Sequence, residues 1–342
     1  MKAILSPYFD APGPAKFLRR GRFVEHPDVA QRGNQIRVGL EMAGCEIVFA
    51  SSQPELRKLI IAVHDTAYVE YLESAWSNWS KMPDASTEIF PNISPNRHIA
   101  QFNENPVALA GWYIADCAAP IGEYTWRNAL LSVSAVIQGA SCLRAGEFAI
   151  YALCRPSGHH ACQDRAMGMC FLNNAAIAAQ ELHQQFAKVA ILDIDMHHGN
   201  GTQQIFYQHS DFLTISIHGN PANFYPFYTG FENECGSDEG EECNLNIPLP
   251  PGTNEASYIQ ALEKAIDVIS SFKAEALVVA TGFDTFKSDP LGCFSLESTS
   301  YNEIGRKIKS LSLPTLFVQE GGYFVEALSE NVRQLVAGFE SV

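Results

Sequence analysis

The sequence predicts an α/β fold: a parallel sheet with helices packed over its faces. Three observations lead there. Short apolar runs recur along the chain, and they are apolar almost without interruption, as strands buried on both faces are. Longer segments with helical spacing separate them, and glycine, proline and cap residues mark their boundaries. Such strand–helix alternation implies parallel strands joined by right-handed crossovers. In chain order the strands read 2–5, 46–50, 148–153, 189–193, 212–218, 277–281 and 315–319. A helical pattern over 129–145 precedes Gly146 and the strand at 148, and another over 173–186 leads into the strand at 189. A third, over 255–272, is entered through Pro250-Pro251-Gly252-Thr253-Asn254, a turn followed by an N-cap.

Length and composition narrow the class. By length alone 342 residues could form two domains, yet α/β chains of this size also fold as one. An apolar fraction of 46% with 18% charged residues excludes a disordered chain. No stretch approaches the ~20 apolar residues of a membrane span, and Met1–Pro7 is too soon broken to read as a secretory signal. With 23 Lys and Arg against 38 Asp and Glu, the charge of −15 argues against nucleic acid or an anionic membrane as partner. It suits a small cationic ligand. The nine cysteines form no Cys-x-x-Cys pair, so neither a disulfide framework nor a zinc finger is expected, and a reducing cytoplasm is the simplest setting. Residues 77–106 break the alternation: polar, interrupted by Pro83, Pro91, Pro95 and Pro106, with Trp79 and Phe90 among them. A loop of that length in a compact domain reads as a functional or interaction element, or else as a surface excursion.

The chemistry concentrates after the strands. Asp193, Asp195 and His197 follow one another at every second position, so in extended backbone they project to one face. Two carboxylates and an imidazole brought together in the interior call for a cation; the alternative is a hydrogen-bonded polar cluster. Asp284 also ends an apolar strand, and ligands collect outside the carboxyl ends of strands in open α/β sheets. Alone it would read as a helix N-cap. Joined to Asp195 and His197 it completes a metal site with an open position, zinc being the natural guess. The tandem His159-His160 on the turn Arg155-Pro156-Ser157-Gly158 suits proton transfer at neutral pH, against the reading of a structural histidine. Tyr323, after Glu320-Gly321-Gly322, could donate to an oxyanion or simply pack in the core. Neither a phosphate-loop lysine nor a Gly-x-Ser-x-Gly elbow is present.

In this order and spacing the motifs are similar to those of the histone deacetylase superfamily of zinc amidohydrolases, and within it to bacterial acetylpolyamine amidohydrolases and histone deacetylase-like amidohydrolases. The residues that carry the resemblance are Arg155–His160, Gly168-Met169-Cys170-Phe171-Leu172-Asn173-Asn174, Asp193–Gly201, Gly282-Phe283-Asp284 and Glu320–Tyr323, with Val63–Tyr68 earlier. The resemblance implies one three-layer α/β/α domain over 1–342, of arginase–deacetylase type, with about eight parallel strands. It implies zinc on Asp195, His197 and Asp284, with iron(II) an alternative at an oxygen-rich site. It implies His160 as general base and acid, His159 as its electrostatic partner oriented by Asp193, and Tyr323 as the group that polarises the scissile carbonyl. Structural potassium would use Asp193, Asp195, His197, Ser216 and Ile217, and a second potassium Phe206, His209 and Phe212. Gly168, Met169, Tyr225 and Leu291 would wall the substrate tunnel, methionine standing where an aromatic side chain is common. Asn200 stands where some members have an aspartate.

The implied activity is deacetylation of small acetylated amines, acetylpolyamines foremost, with acetate released. Segment 77–106 would help form a homodimer and narrow the mouth of the site. Glu104 and Asp116 are the candidates for holding a distal ammonium. Arg19 runs against that substrate: pointing inward, it would favour an anionic or neutral acylated one. Alternative readings are a broader acyl-lysine or protein deacetylase, a binuclear ureohydrolase on the same fold, and a binder without catalysis.

Overall fold

The computed structural model describes residues 1–51 and 56–341. Its centre is a sheet of strands β1 (Lys2–Leu5), β4 (Glu46–Phe49), β5 (Ala149–Leu153), β6 (Val189–Asp193), β7 (Phe212–Gly219), β8 (Asn244–Leu249), β9 (Ala276–Thr281) and β10 (Thr315–Gln319). A small antiparallel hairpin, β2 (Lys16–Arg19) with β3 (Arg22–Glu25), stands apart from it. The helices are α1 (Ala30–Met42), α2 (Leu56–Ile61), α3 (Thr66–Trp79), α4 (Pro106–Tyr113), α5 (Thr125–Arg144), α6 (Asn174–Leu182), α7 (Asn200–Phe206), α8 (Glu255–Phe272), α9 (Ser300–Lys309) and α10 (Val325–Glu340).

The sheet has eight strands in the order β4-β1-β5-β10-β9-β6-β7-β8, and every pairing is parallel. Side chains alternate between two cores. Ile150, Ala152, Val278 and Ala280 face one, closed by Val133, Val136 and Ala140 of α5 and by the alanine-rich α6. Tyr151, Leu153, Leu277 and Val279 face the other, closed by Leu40 of α1, Leu262 and Ile269 of α8, Ile304 of α9 and Leu335 of α10. Burial on both faces is why the strands read as unbroken apolar runs.

The predicted strands form within a residue or two of their expected ends, and 255–272 is helical as expected, with the Asn254 side chain accepting from the Ser257 amide. Helix α5 begins earlier than predicted, at Thr125, and α6 ends sooner, at Leu182. The segment 77–106 is not wholly loop. Its start is the last turn of α3, and its end is the first residue of α4, where Pro106 needs no amide partner and the Asn105 side chain caps Val107. Strand β8 has no counterpart in the sequence reading: Asn244-Leu245-Asn246 is too polar to look like a buried strand, yet Asn244 and Asn246 are buried as acceptors and donors of a side-chain network.

Candidate active site

The four central strands β5, β10, β9 and β6 lie side by side, and the loops leaving their carboxyl ends supply the site. Asp193 and Ala280 are register partners, so β6 and β9 end level, and the neighbouring β10 ends level with β9 at Gln319 and Thr281. Asp195, His197 and Asp284 therefore meet, their ligand-type atoms within 4.8 Å of one another. His197 Nδ1 lies 3.2 Å from Asp195 Oδ1 and 3.0 Å from Asp284 Oδ2. Main-chain amides fix the other carboxylate oxygens: Gly321 donates to Asp195 Oδ2 at 2.8 Å and Met196 to Asp284 Oδ1 at 2.9 Å. Both aspartates are fully buried.

The electrostatics express an excess of buried negative charge. Burial and the neighbouring Asp195 push the Asp284 carboxyl up to about 7. Burial acts to lower the His197 imidazole, but the two carboxylates outweigh it and raise it to about 10. A proton on Nδ1 thus occupies the place where a cation would bind both carboxylates. One imidazole nitrogen and two carboxylates, converging and amide-positioned, fit a divalent metal ion.

Asp193 is not part of that trio. Its Oδ2 receives His159 Nδ1 at 2.8 Å, and its Oδ1 accepts the Asp195 amide. Burial lowers the His159 imidazole, but Asp193, Asp195 and Glu320 prevail and hold it well above its ordinary value. His160 goes the other way, driven far down by burial first and then by the positive charge of His159 and His197. Its Nδ1 contacts Asn200 Oδ1 at 2.7 Å, while Asn200 Nδ2 points at the sulfurs of Cys162 and Met167. The amide oxygen can only accept, so Nδ1 carries the proton and Nε2 keeps its lone pair.

A cavity of about 420 Å³ opens over this cluster, and His159, His160, His197 and Tyr323 line it. So do Gly168, Met169, Tyr225, Leu291, Arg19 and Asp116. Glu104 does not join them: it is exposed, outside the cavity wall of this chain. Asp116 is committed inside the protein, where Oδ2 accepts the Tyr225 hydroxyl at 2.6 Å and Oδ1 the amides of Ala118 and Gly168. Gly168 has φ +55°, and a Cβ there would stand 2.4 Å from the His160 ring. Ser216 and Asp193 line a separate small space of about 10 Å³ beside β6, and the Ser216 hydroxyl pairs with His218 at 2.8 Å. Ile217 follows in β7. Phe206, His209 and Phe212 lie together where α7 turns into β7, the two phenylalanine rings stacked at 4.1 Å.

Several residues of the site were not singled out from the sequence. Phe224 stacks on His197 at 5.5 Å. Asp289 accepts the amides of Tyr323 and Phe324, and the Arg32 guanidinium lies 4.7 Å over the Tyr323 ring. Glu320 accepts the amides of Gly158 and His159 and so ties β10 to the histidine turn. Its place beside Gly321-Gly322 was visible, but a carboxylate that binds main-chain amides leaves no pattern of its own in the sequence.

Fold and site together suit a metal-dependent hydrolase: three ligand-type side chains that could hold an ion, beside two adjacent imidazoles, at the floor of a cavity. The histone deacetylase domain model matches residues 26–339. An acetylpolyamine amidohydrolase of Burkholderia pseudomallei (strain 1710b) is 41% identical over 329 residues, 95% of either chain. Acetylpolyamine amidohydrolase 2 of Pseudomonas aeruginosa is 43% identical over 82% of either chain. The crystal structure of an acetylpolyamine aminohydrolase from Burkholderia pseudomallei superposes with a TM-score of 0.96 at 38% identity, covering 100% of this chain and 99% of that one. The chain belongs to the histone deacetylase family.

Proposed function

We propose that this protein is a zinc-dependent amidohydrolase that deacetylates small acetylated amines, among them acetylputrescine, acetylcadaverine and acetylspermidine, and releases acetate. The observation that carries this reading is the convergence of Asp195, His197 and Asp284 beneath a cavity walled by His159 and His160. Relatives named acetylpolyamine amidohydrolases, 41–43% identical over most of the chain, support the substrate class.

Asp195, His197 and Asp284 would hold the zinc, and iron(II) suits the same donors. When bound, the ion supplies Lewis acidity to the acyl oxygen and to water. Around it the side chains divide the proton work. His160, neutral and with Nε2 free, takes a proton as the water oxygen bonds to the carbonyl carbon. It returns that proton to the nitrogen as the C–N bond breaks, leaving acetate and a free amine. His159, charged and held by Asp193, supplies a fixed positive field beside it. The half-buried Tyr323 phenol, its acidity suppressed by desolvation, keeps its proton and donates a hydrogen bond to the carbonyl oxygen as charge develops there.

Structural potassium is assigned to Asp193, Asp195, His197, Ser216 and Ile217, and a second ion to Phe206, His209 and Phe212. Residues 1–342 are read as one domain of a cytoplasmic protein. Ile93, Ile99 and Phe102, exposed on the 77–106 segment, offer an apolar face to a second copy and support a homodimer.

The test compares metal-loaded and chelated protein on acetylputrescine, acetylcadaverine and an acetyl-lysine reporter, ranked by kcat/KM. Turnover that chelation abolishes and zinc restores is expected. Absence of turnover on all three overturns the proposal.

A further inference from the structure

Among the residues lining the catalytic cavity, the charged ones outside the metal and histidine cluster are Asp116, Arg19 and Arg20. Their states differ. Asp116 is satisfied internally by the Tyr225 hydroxyl and two amides, so it has little to offer a ligand's cation. The arginines are not satisfied. Arg19 makes one hydrogen bond, from Nη2 to the carbonyl of Pro290 at 3.2 Å. The Arg20 and Arg22 side chains form no hydrogen bond or ion pair among the described residues, and all three are exposed.

The hairpin that carries them is built as though against their mutual repulsion. At its base Lys16 pairs with Glu25 in register and forms an ion pair. At its tip Arg19 pairs in register with Arg22, and like charges directly opposite each other destabilise a sheet. Arg20 between them takes a left-handed backbone with φ +48°. The hairpin is nevertheless fixed to the cavity wall: the Leu18 amide donates to the Cys117 carbonyl at 3.2 Å, and Phe17 is buried edge-on to His26. In a chain of net charge −15, unneutralised arginines carried on a hairpin anchored at the mouth of the active site call for an anion.

We infer that Arg19 and Arg20 capture the far end of the substrate as a carboxylate, so that the enzyme hydrolyses acetylated ω-amino acids. The inference rests on the amidohydrolase reading of the same site and names a further substrate class for it. The reaction balances without a co-reactant: water bonds to the acetyl carbon, the C–N bond breaks, and the proton goes to nitrogen. The products are acetate and the free amino acid.

The test uses metal-loaded protein and three substrates of matched length: 6-acetamidohexanoate, neutral N-pentylacetamide and N-acetylcadaverine. The expected kcat/KM for the carboxylate exceeds that for the neutral amide by about tenfold to a hundredfold, the range of one or two charge-assisted hydrogen bonds. That ratio should fall as salt is added and collapse toward one in the Arg19→Gln/Arg20→Gln double variant. Arg19→Glu/Arg20→Glu should turn the preference toward acetylcadaverine. A carboxylate turned over no better than the neutral amide, or a ratio unmoved in the double variant, overturns the inference and leaves the amidohydrolase reading standing. Turnover of none of the three overturns both.

Discussion

His160 is paired with an amide where a carboxylate would have made it a stronger base. Asn200 fixes the tautomer through Nδ1 but adds no negative charge, and burial with two neighbouring imidazoles keeps His160 neutral. On the proposed mechanism activity needs that neutral form, which puts the acid limb of kcat/KM against pH where His160 loses its proton. Asn200→Asp would favour the charged form, and the acid limb should move to higher pH, by about one unit. The pH–rate profile of the variant checks this. His160→Ala should lower kcat by roughly 10²–10⁴-fold, the usual contribution of a positioned acid–base group. Packing at the cluster is equally strict. A Cβ on Gly282 would stand 2.1 Å from Asp195 Oδ2, so Gly282→Ala must displace a carboxylate of the ion site. Metal affinity should fall by about 10–100-fold, read by competition with a chelating dye. None of the Asp195, His197 and Asp284 contacts needed more than residue type and spacing to suspect. The Asp116–Tyr225 bond did, because the two are remote in sequence and neither belongs to a motif.

At the scale of elements, a buried charge network joins α1 to the end of β5. Asp28 pairs with Arg32 and Arg155, while Arg155 also donates to the carbonyls of Ala11 and Asp28, and Arg32 to that of Glu320. Burial would raise the Asp28 carboxyl, but Arg155 and then Arg32 prevail and hold it at about 2 against an ordinary 3.8. A lowered folded-state value means stability present above pH ~4 and lost as the pH falls through about 2, worth about 2 kcal/mol at neutral pH. Asp28→Asn leaves two buried guanidinium groups short of a counter-charge and should cost about 3–5 kcal/mol in denaturant unfolding at pH 7. Arg155-Pro156-Ser157-Gly158 was readable as a turn, but not its partner Asp28, which sits 127 residues away. The hairpin β2–β3 and strand β8 escaped for a related reason. Both are polar pieces whose partners, the cavity wall and the network around Gln203, come from other parts of the chain.

For the whole molecule, an ion bound at Asp195, His197 and Asp284 would relieve buried negative charge and couple binding to folding. Chelation should therefore lower the Tm as well as abolish activity, and zinc should restore both. At a thousandfold excess over Kd the linkage is worth about 4 kcal/mol. Differential scanning fluorimetry with and without chelator measures it. A homodimer through the 77–106 segment should appear in sedimentation analysis, and Ile99→Lys, placing a charge on an 82% exposed position, should shift the protein toward monomer.

From the residues alone came the α/β class, the seven apolar strands and the side chains at their ends. Strand period, cap residues and the ligand-type spacing at 193–197 are local, and local patterns survive in a linear text. The order of the strands did not follow from them. Only the folded sheet sets β5, β10, β9 and β6 side by side, and only there do His159 and Tyr323, 164 residues apart, face one cavity. Tertiary packing also decided which charges were already paired: it closed Asp116 against Tyr225, left Glu104 outside, and set Arg19 and Arg20 unneutralised at the mouth. Charge state depends on neighbours in space, and those neighbours are fixed by long-range packing.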